Sequence, residues 1–181
     1  MADPPQELPG LALAKGEEPV AAWTRRFPTA PKEAYVRFVR GGDVPLGAVQ
    51  RLSRRAQLTV DAGPQDPEDI LDLAVAGAHG IVVWMHEGGD VAAMADAMGE
   101  GLLLGTRLAD LDQACRRARD LGVPLLVEGG PAPAGMHGYL LDLDARPLVL
   151  RRFGDWPAVD AAQGPGLAAA EAPPGEGDAE G

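Results

Sequence analysis

The sequence predicts an α/β fold of repeated strand–helix units, and three observations predict it. Short apolar runs of strand length alternate with amphipathic stretches of helical period. Acidic residues stand where those helices should begin, and glycines where they should end. Alternation in this order implies parallel pairing through right-handed crossovers.

The clearest unit begins at Gln57-Leu58-Thr59-Val60, a β-forming run that breaks at Asp61-Ala62-Gly63-Pro64. Asp66 then suits a helix N-cap and Pro67 the first helical position, while Glu68 and Asp69 complement the helix dipole. Ile70, Leu73, Ala74 and Gly77 recur at helical spacing. His79-Gly80-Ile81-Val82-Val83-Trp84 reads as a continuous apolar strand covered on both faces.

The pattern repeats twice. Asp90 is placed to cap a helix with Val91, Met94, Ala95 and Met98 on one face, Gly99 closes it, and residues 101–104 form the next strand. Asp110 is placed to cap a longer helix carrying Leu111, Ala114, Cys115, Ala118 and Leu121, with Gly122 as a left-handed C-cap. Val123-Pro124-Leu125-Leu126-Val127 follows as a buried strand. Upstream, residues 11–14 and 34–39 are strand candidates, with a short helix over 46–52. Downstream, residues 138–143 and 147–152 are strands with almost no helix between them.

The count of about eight strands predicts a compressed or incomplete (β/α)8 TIM-like barrel of parallel strands, in a chain shorter than the roughly 200 residues such barrels usually need. An open doubly wound sheet is the alternative. The barrel domain is expected over residues 9–162, after a flexible N-terminal segment, 1–8. A change to Gly, Pro, Ala and Glu predicts a disordered acidic tail over 163–181.

Hydrophobic residues make up 46% of the 181 but aromatics only 4%, so the core must be built from Leu, Val and Ala. The net charge of −11 argues against non-specific nucleic-acid binding and against a polybasic membrane anchor. Lys15 and Lys32 are the only lysines; the other basic residues are arginines. Cys115 is the single cysteine, which excludes an intramolecular disulfide and a thiolate cluster, and it reads as a small core residue. No secretory pattern and no membrane-spanning apolar run is present, so the expected compartment is the cytoplasm.

Part of the chain resembles the phosphate-binding barrels of histidine biosynthesis, the aminoimidazole-carboxamide ribotide isomerase and its cyclase relative. The run from Pro9 through Gly10-Leu11-Ala12-Leu13-Ala14-Lys15-Gly16 is similar to that family's opening strand and turn. The stretch LTVDAGPQDPEDILDLAVAGAHGIVV, residues 58–83, is similar to its third strand, glycine loop, third helix and fourth strand. VPLLVEGG resembles the strand-plus-double-glycine units of phosphate-binding barrels. The departures are as informative. Where the resemblance implies a catalytic aspartate at the end of the first strand, the chain has Ala12, and its partner's strand ends Leu104-Gly105-Thr106. The double-glycine phosphate loop is reduced to Asp61-Ala62-Gly63. The resemblance therefore implies a divergent, shortened relative rather than the histidine isomerase itself. The context it suggests is one-carbon cofactor biosynthesis of the pterin or methanofuran type.

In such a barrel the ligand binds at the C-terminal strand ends. The pattern places Lys15, Arg40, Asp61, His86, Thr106, Arg107, Glu128 and Asp142 there. Asp61 and Glu128 each follow buried apolar residues and precede glycine, as desolvated acid/base groups would. His86 is the third catalytic candidate, a proton shuttle near neutrality. Gly105, Thr106 and Arg107 precede a capped helix and form the better phosphate candidate; Gly63, Gly129 and Gly130 offer backbone N–H groups. Lys15, Arg40 and Asp142 complete the expected substrate-binding set. No metal-ligand spacing links Asp61, His86, Glu128 and Asp142, and no cofactor is expected. The predicted function is isomerase or lyase chemistry on a small phosphorylated metabolite. The alternative is a catalytically degenerate barrel serving as a scaffold or subunit. Uncovered strand surface makes a homo-oligomer or a complex the expected assembly.

Overall fold

In the computed structural model, which describes residues 6–129 and 138–153, eight strands close into one barrel in chain order. They are β1 (Gln6–Ala12), β2 (Glu33–Arg37), β3 (Gln57–Asp61), β4 (Ala78–Trp84), β5 (Leu102–Arg107), β6 (Leu125–Glu128), β7 (Gly138–Asp142) and β8 (Val149–Phe153). Helices α1 (Pro19–Arg26), α2 (Leu46–Ser53), α3 (Pro67–Ala76), α4 (Val91–Met98) and α5 (Leu111–Leu121) fill the five crossovers from β1 to β6.

The expected fold class needs correction on two counts. Strands β1 to β7 pair in parallel, but β8 runs antiparallel to both β7 and β1, so the barrel is mixed. Among the described residues no helix follows β6 or β7, so the helix layer is incomplete and the repeating (β/α)8 plan is not kept. The reason is length. Six residues separate β7 from β8, whereas a parallel return needs a crossover of about a dozen or more, so the chain can only fold back as a hairpin. The open doubly wound sheet is overturned by the β1–β8 ladder, which runs from Gln6↔Arg152 to Pro9↔Val149 and closes the ring. That ladder also places residues 6–8 in a strand rather than in a flexible segment. The acidic tail expected over 163–181 lies outside the described residues.

The helix starts follow from capping chemistry. Asp66 accepts a hydrogen bond from the Asp69 backbone N–H at 2.9 Å, and Asp90 one from Ala93 at 3.0 Å. Glu18 does the same for α1, accepting from Val20 and Ala21 at 3.2 and 2.6 Å, with Pro19 at the first helical position. Those backbone donors hold its carboxyl below the ordinary range. Asp110 makes no capping bond: a 3₁₀ turn over Leu108–Asp110 intervenes, and its carboxylate lies 3.6 Å from Arg107 instead. Gly122 ends α5 at φ 68°, the left-handed conformation that glycine adopts without strain.

Alternation along the strands separates two apolar layers. Leu8, Tyr35, Val82, Trp84, Leu103, Leu126, Leu141 and Leu150 fill the barrel interior. Val36, Leu58, Ile81, Leu104 and Leu125 point outward against Trp23, Leu52, Ile70, Leu73, Met94 and Ala118 from the helices. Both faces of the central strands are thus apolar, which is why they read as continuous runs. Cys115 lies in the outer layer, where burial pushes its thiol pKa up. Among the described residues no helix is long and apolar enough to cross a membrane.

Leu150 is the only described β8 residue that is fully buried in the interior layer. Leu150→Ala is expected to cost about 2–5 kcal/mol in urea unfolding, as for a large-to-small change in a closed core. A loss of about 0.5 kcal/mol or less, typical of surface positions, would count against closure through β8.

Candidate functional site

The polar residues of the barrel gather at the C-terminal rim of β2, β3 and β4. On β2 and just after it, Val36 and Phe38 belong to the outer apolar layer while Tyr35 faces the interior, and Arg37 follows Tyr35 on the inner side. Asp61, the last residue of β3, pairs in register with Arg37 and is 0% exposed. A buried carboxylate is costly unless donors surround it, and here three do. Tyr35 Oη donates to its Oδ2, while Trp84 Nε1 (2.8 Å) and an Arg40 Nη donate to its Oδ1. Arg37 Nε stands 3.6 Å from Oδ2. Burial, followed by the adjacent Asp61 charge, raises the Tyr35 hydroxyl pKa well above its ordinary value.

Arg40 carries the network outward. Its Nε and one Nη donate to Glu87 at 2.8 and 2.9 Å in a two-point pair, and the same Nη reaches Asp61. Its other Nη donates to the carbonyls of Phe38 (2.8 Å) and Asp61 (3.0 Å). All five N–H donors of the guanidinium are therefore matched. Burial alone would lower its pKa, but the bonds to Glu87 and the Asp61 charge outweigh that and raise it. Gly63 packs directly on this pair: a Cβ there would stand 2.7 Å from Arg40 and 2.9 Å from Glu87.

Arg37 is different. Its side chain is 31% exposed, its guanidinium lies over the Trp84 indole at 5.9 Å, and it makes no hydrogen bond among the described residues. It lines two clefts at the rim. One, of about 480 Å³, also takes in Ala12, Phe38, Arg40, His86 and Glu87. The other, of about 380 Å³, takes in Gly10, Arg26, Arg146 and Leu148. Arg26 donates to the Gly10 carbonyl at 3.1 Å, and Arg146 to the carbonyls of Leu143 and Ala145 at 2.6 and 2.9 Å. Neither has a carboxylate partner among the described residues. The second cleft thus collects three guanidinium groups, and no carboxylate is among its described lining residues, in a chain of net charge −11.

The expected site residues divide between the two halves of the rim. Lys15 and Arg40 share a cleft, and Arg40 and His86 share the next. His86 is exposed and tilts against Trp84 at 5.5 Å. Asp61 and Gly63 belong to the network just described. Across the mouth, Arg107 and Glu128 are register partners on β5 and β6. Gly105 makes room for Trp84, since a Cβ there would stand 2.5 Å from the indole. Thr106 is buried on the outer side with Leu104 and bonds the Arg107 carbonyl, so its hydroxyl does not reach the mouth. The Gly129 N–H donates to Leu141 O at 2.9 Å and is not free for an anion. Asp142 accepts from the N–H groups of Asp144 and Ala145 and pairs with Arg151, which lowers its pKa; it ties the β7–β8 hairpin. Gly130 lies outside the described residues.

Sequence reasoning missed Tyr35, Arg37, Trp84 and Glu87 as site residues, and Arg26 and Arg146 beside them. One signal was available. Tyr35-Val36-Arg37-Phe38 alternates, unlike the continuous apolar runs elsewhere, and alternation places a polar side chain inside the barrel.

Two substitutions test the network. Asp61→Asn, which removes one charge from a buried pair, is expected to destabilise by about 3–5 kcal/mol in urea unfolding. A loss of about 0.5 kcal/mol or less would mean that the carboxylate pins nothing. Tyr35→Phe removes one charge-assisted hydrogen bond and is expected to cost about 1.5–3 kcal/mol. Its effect depends on pH. The folded-state pKa of Tyr35 is raised, so its contribution is complete below about pH 10, where the unfolded tyrosine ionises, and is lost as pH rises towards the folded value. The stability difference between wild type and Tyr35→Phe should therefore shrink above about pH 10; a difference that stays flat would contradict the bond.

No known protein-family pattern matches this chain, and no curated protein is significantly similar to it.

Proposed function

We propose that the chain binds a small phosphorylated metabolite at the C-terminal rim of its barrel, with Arg37 as the anchor. One observation carries this reading: Arg37 is held in place by Trp84 and the Asp61 carboxylate 3.6 Å away, yet its side chain makes no hydrogen bond among the described residues. Arg40, on the other oxygen of the same Asp61 carboxylate, shows what a purely structural arginine looks like here, with every donor matched. A guanidinium suits a phosphoryl group because its planar fork offers paired donors to two oxygens. Arg26 and Arg146 add positive charge to the same cleft. The similarity of residues 58–83 to phosphate-binding barrels supports the ligand class and nothing finer.

Isomerase or lyase chemistry is the activity we assign to the site. Asp61 is surrounded by donors, so the proton-transfer roles fall to His86, which lines the cleft beside Arg37, and to Glu128 at the end of β6. A role in one-carbon cofactor biosynthesis remains the proposed context. The second reading, a barrel that binds or scaffolds without turnover, is favoured by a specific observation. Asp61 accepts from Tyr35, Trp84 and Arg40 and has the contacts of a structural pin.

Titration calorimetry with a small phosphomonoester tests the anchor. Arg37→Gln is expected to weaken binding roughly ten- to hundredfold, the equivalent of one charge-assisted hydrogen-bond pair. Arg107→Gln, across the mouth, should leave it unchanged. Equal losses in both variants, or none in Arg37→Gln, would remove Arg37 from this role.

A further inference from the structure

The opposite rim carries a second charged cleft that the proposed site does not use. Its volume is about 860 Å³, and it lies where β1 to β4 begin, lined by Gln6, Glu33, Gln57 and Ala78 at the strand starts. Lys32, Arg54, Arg55 and His79 also line it, all exposed. None of the four has an ion-pair partner among the described residues. The one acid facing them is Glu33, which accepts from Gln6 at 3.5 Å. Ala74 of α3 forms part of the wall, and on the same helix Leu71 and Val75 stand 52% and 88% exposed. The cleft thus holds cations without an ion-pair partner among the described residues, and exposed apolar residues stand on the helix that forms part of its wall.

The reversed eighth strand delivers the chain to this place. Phe153 pairs with Gly138, the start of β7, and Arg152 with Gln6, the start of β1. Phe153, the last described residue, thus stands on the rim of the cationic cleft; a parallel eighth strand would have ended on the other. The 28 residues that follow contain Asp155, Asp160, Glu171, Glu176, Asp178 and Glu180 and no lysine or arginine. Leu167 and Ala168 to Ala170 precede the last four acids. The order, an apolar stretch and then acids, matches a cleft lined by Lys32, Arg54 and Arg55 whose wall includes the helix that carries the exposed Leu71 and Val75.

We propose that this cleft is the docking site of the chain's own acidic segment, residues 155–180, which covers Leu71 and Val75 and neutralises Lys32, Arg54 and Arg55 in cis. Reach is no obstacle, because the residues from Phe153 to Glu171 span up to about 60 Å when extended. Tethering keeps the segment at high effective concentration near the cleft, so individually weak exposed pairs act together.

A nitroxide label on the full chain tests this. The label is attached at Gly177→Cys in a Cys115→Ala background, and the amide signals of the ¹⁵N-labelled protein are compared with and without reduction of the label. Signals of residues 54–57 and 77–79 are expected to lose at least about half their intensity relative to residues 104–107 on the far rim, and to recover at about 0.5 M salt, where the Debye length is roughly 4 Å. The combined variant Lys32→Gln, Arg54→Gln, Arg55→Gln should abolish the effect. An equimolar mixture of spin-labelled ¹⁴N chain and unlabelled ¹⁵N chain should show none. Equal attenuation at both rims, no attenuation, or attenuation that survives the triple substitution would overturn the proposal. Attenuation in the mixed sample alone would overturn it in favour of docking onto a second copy.

Discussion

A carboxylate with no access to water must be met by donors, and the upper half of this barrel is organised around meeting one. Asp61 draws Tyr35 from β2, Trp84 from β4 and Arg40 from the segment after β2 onto two oxygen atoms. Losing any of these would leave buried polar atoms unmatched, at a cost well above that of an exposed pair. The requirement spreads from there. Arg40 brings Glu87, the Arg40–Glu87 pair fits only against a glycine at position 63, and the Trp84 ring fits only against a glycine at position 105. Two glycines that read as phosphate-loop candidates are thus explained by the room that neighbouring side chains need.

The same network gives Arg37 its standing. A guanidinium left alone at the mouth would sample many rotamers, and binding an anion would then carry a large entropic cost. Held between an indole and a carboxylate, it lines the clefts on either side with its rotamers already restricted. Preorganisation of this kind raises affinity without adding contacts. The rim's charge also concentrates anions locally, although the chain as a whole repels them.

What the sequence disclosed was local. The unit from Gln57 to Trp84 was legible because Asp66, Pro67 and Gly77 punctuate it, and Asp90 marked the next helix in the same way. Helix α1 carries the same signature in Glu18-Pro19 but was not read, since its acid cap stands beside a second glutamate and its stretch is short, between the two prolines Pro19 and Pro28. Asp110 looked equivalent to Asp66 and is not, because it ends a 3₁₀ turn that runs directly into α5 and its carboxylate pairs with Arg107. The direction of β8 was implicit in the short gap after β7, but strand content alone carries no sign of direction. Asp61 was correctly placed at a strand end. Its partners come from residues 26, 23 and 21 positions away, and no local pattern reports contacts at that range.

The β1–β8 ladder joins the two extremes of the described chain, and that has a consequence for biosynthesis. On a ribosome the first strand emerges long before its closing neighbour, so its outer edge stays unpaired while the next six strands are added. An open edge recruits other strands, and contacts this distant in sequence form slowly. The interval before β8 is translated is therefore the period of greatest exposure to aggregation. A nascent chain stalled before Val149 would carry a nearly complete sheet that has no means of sealing itself.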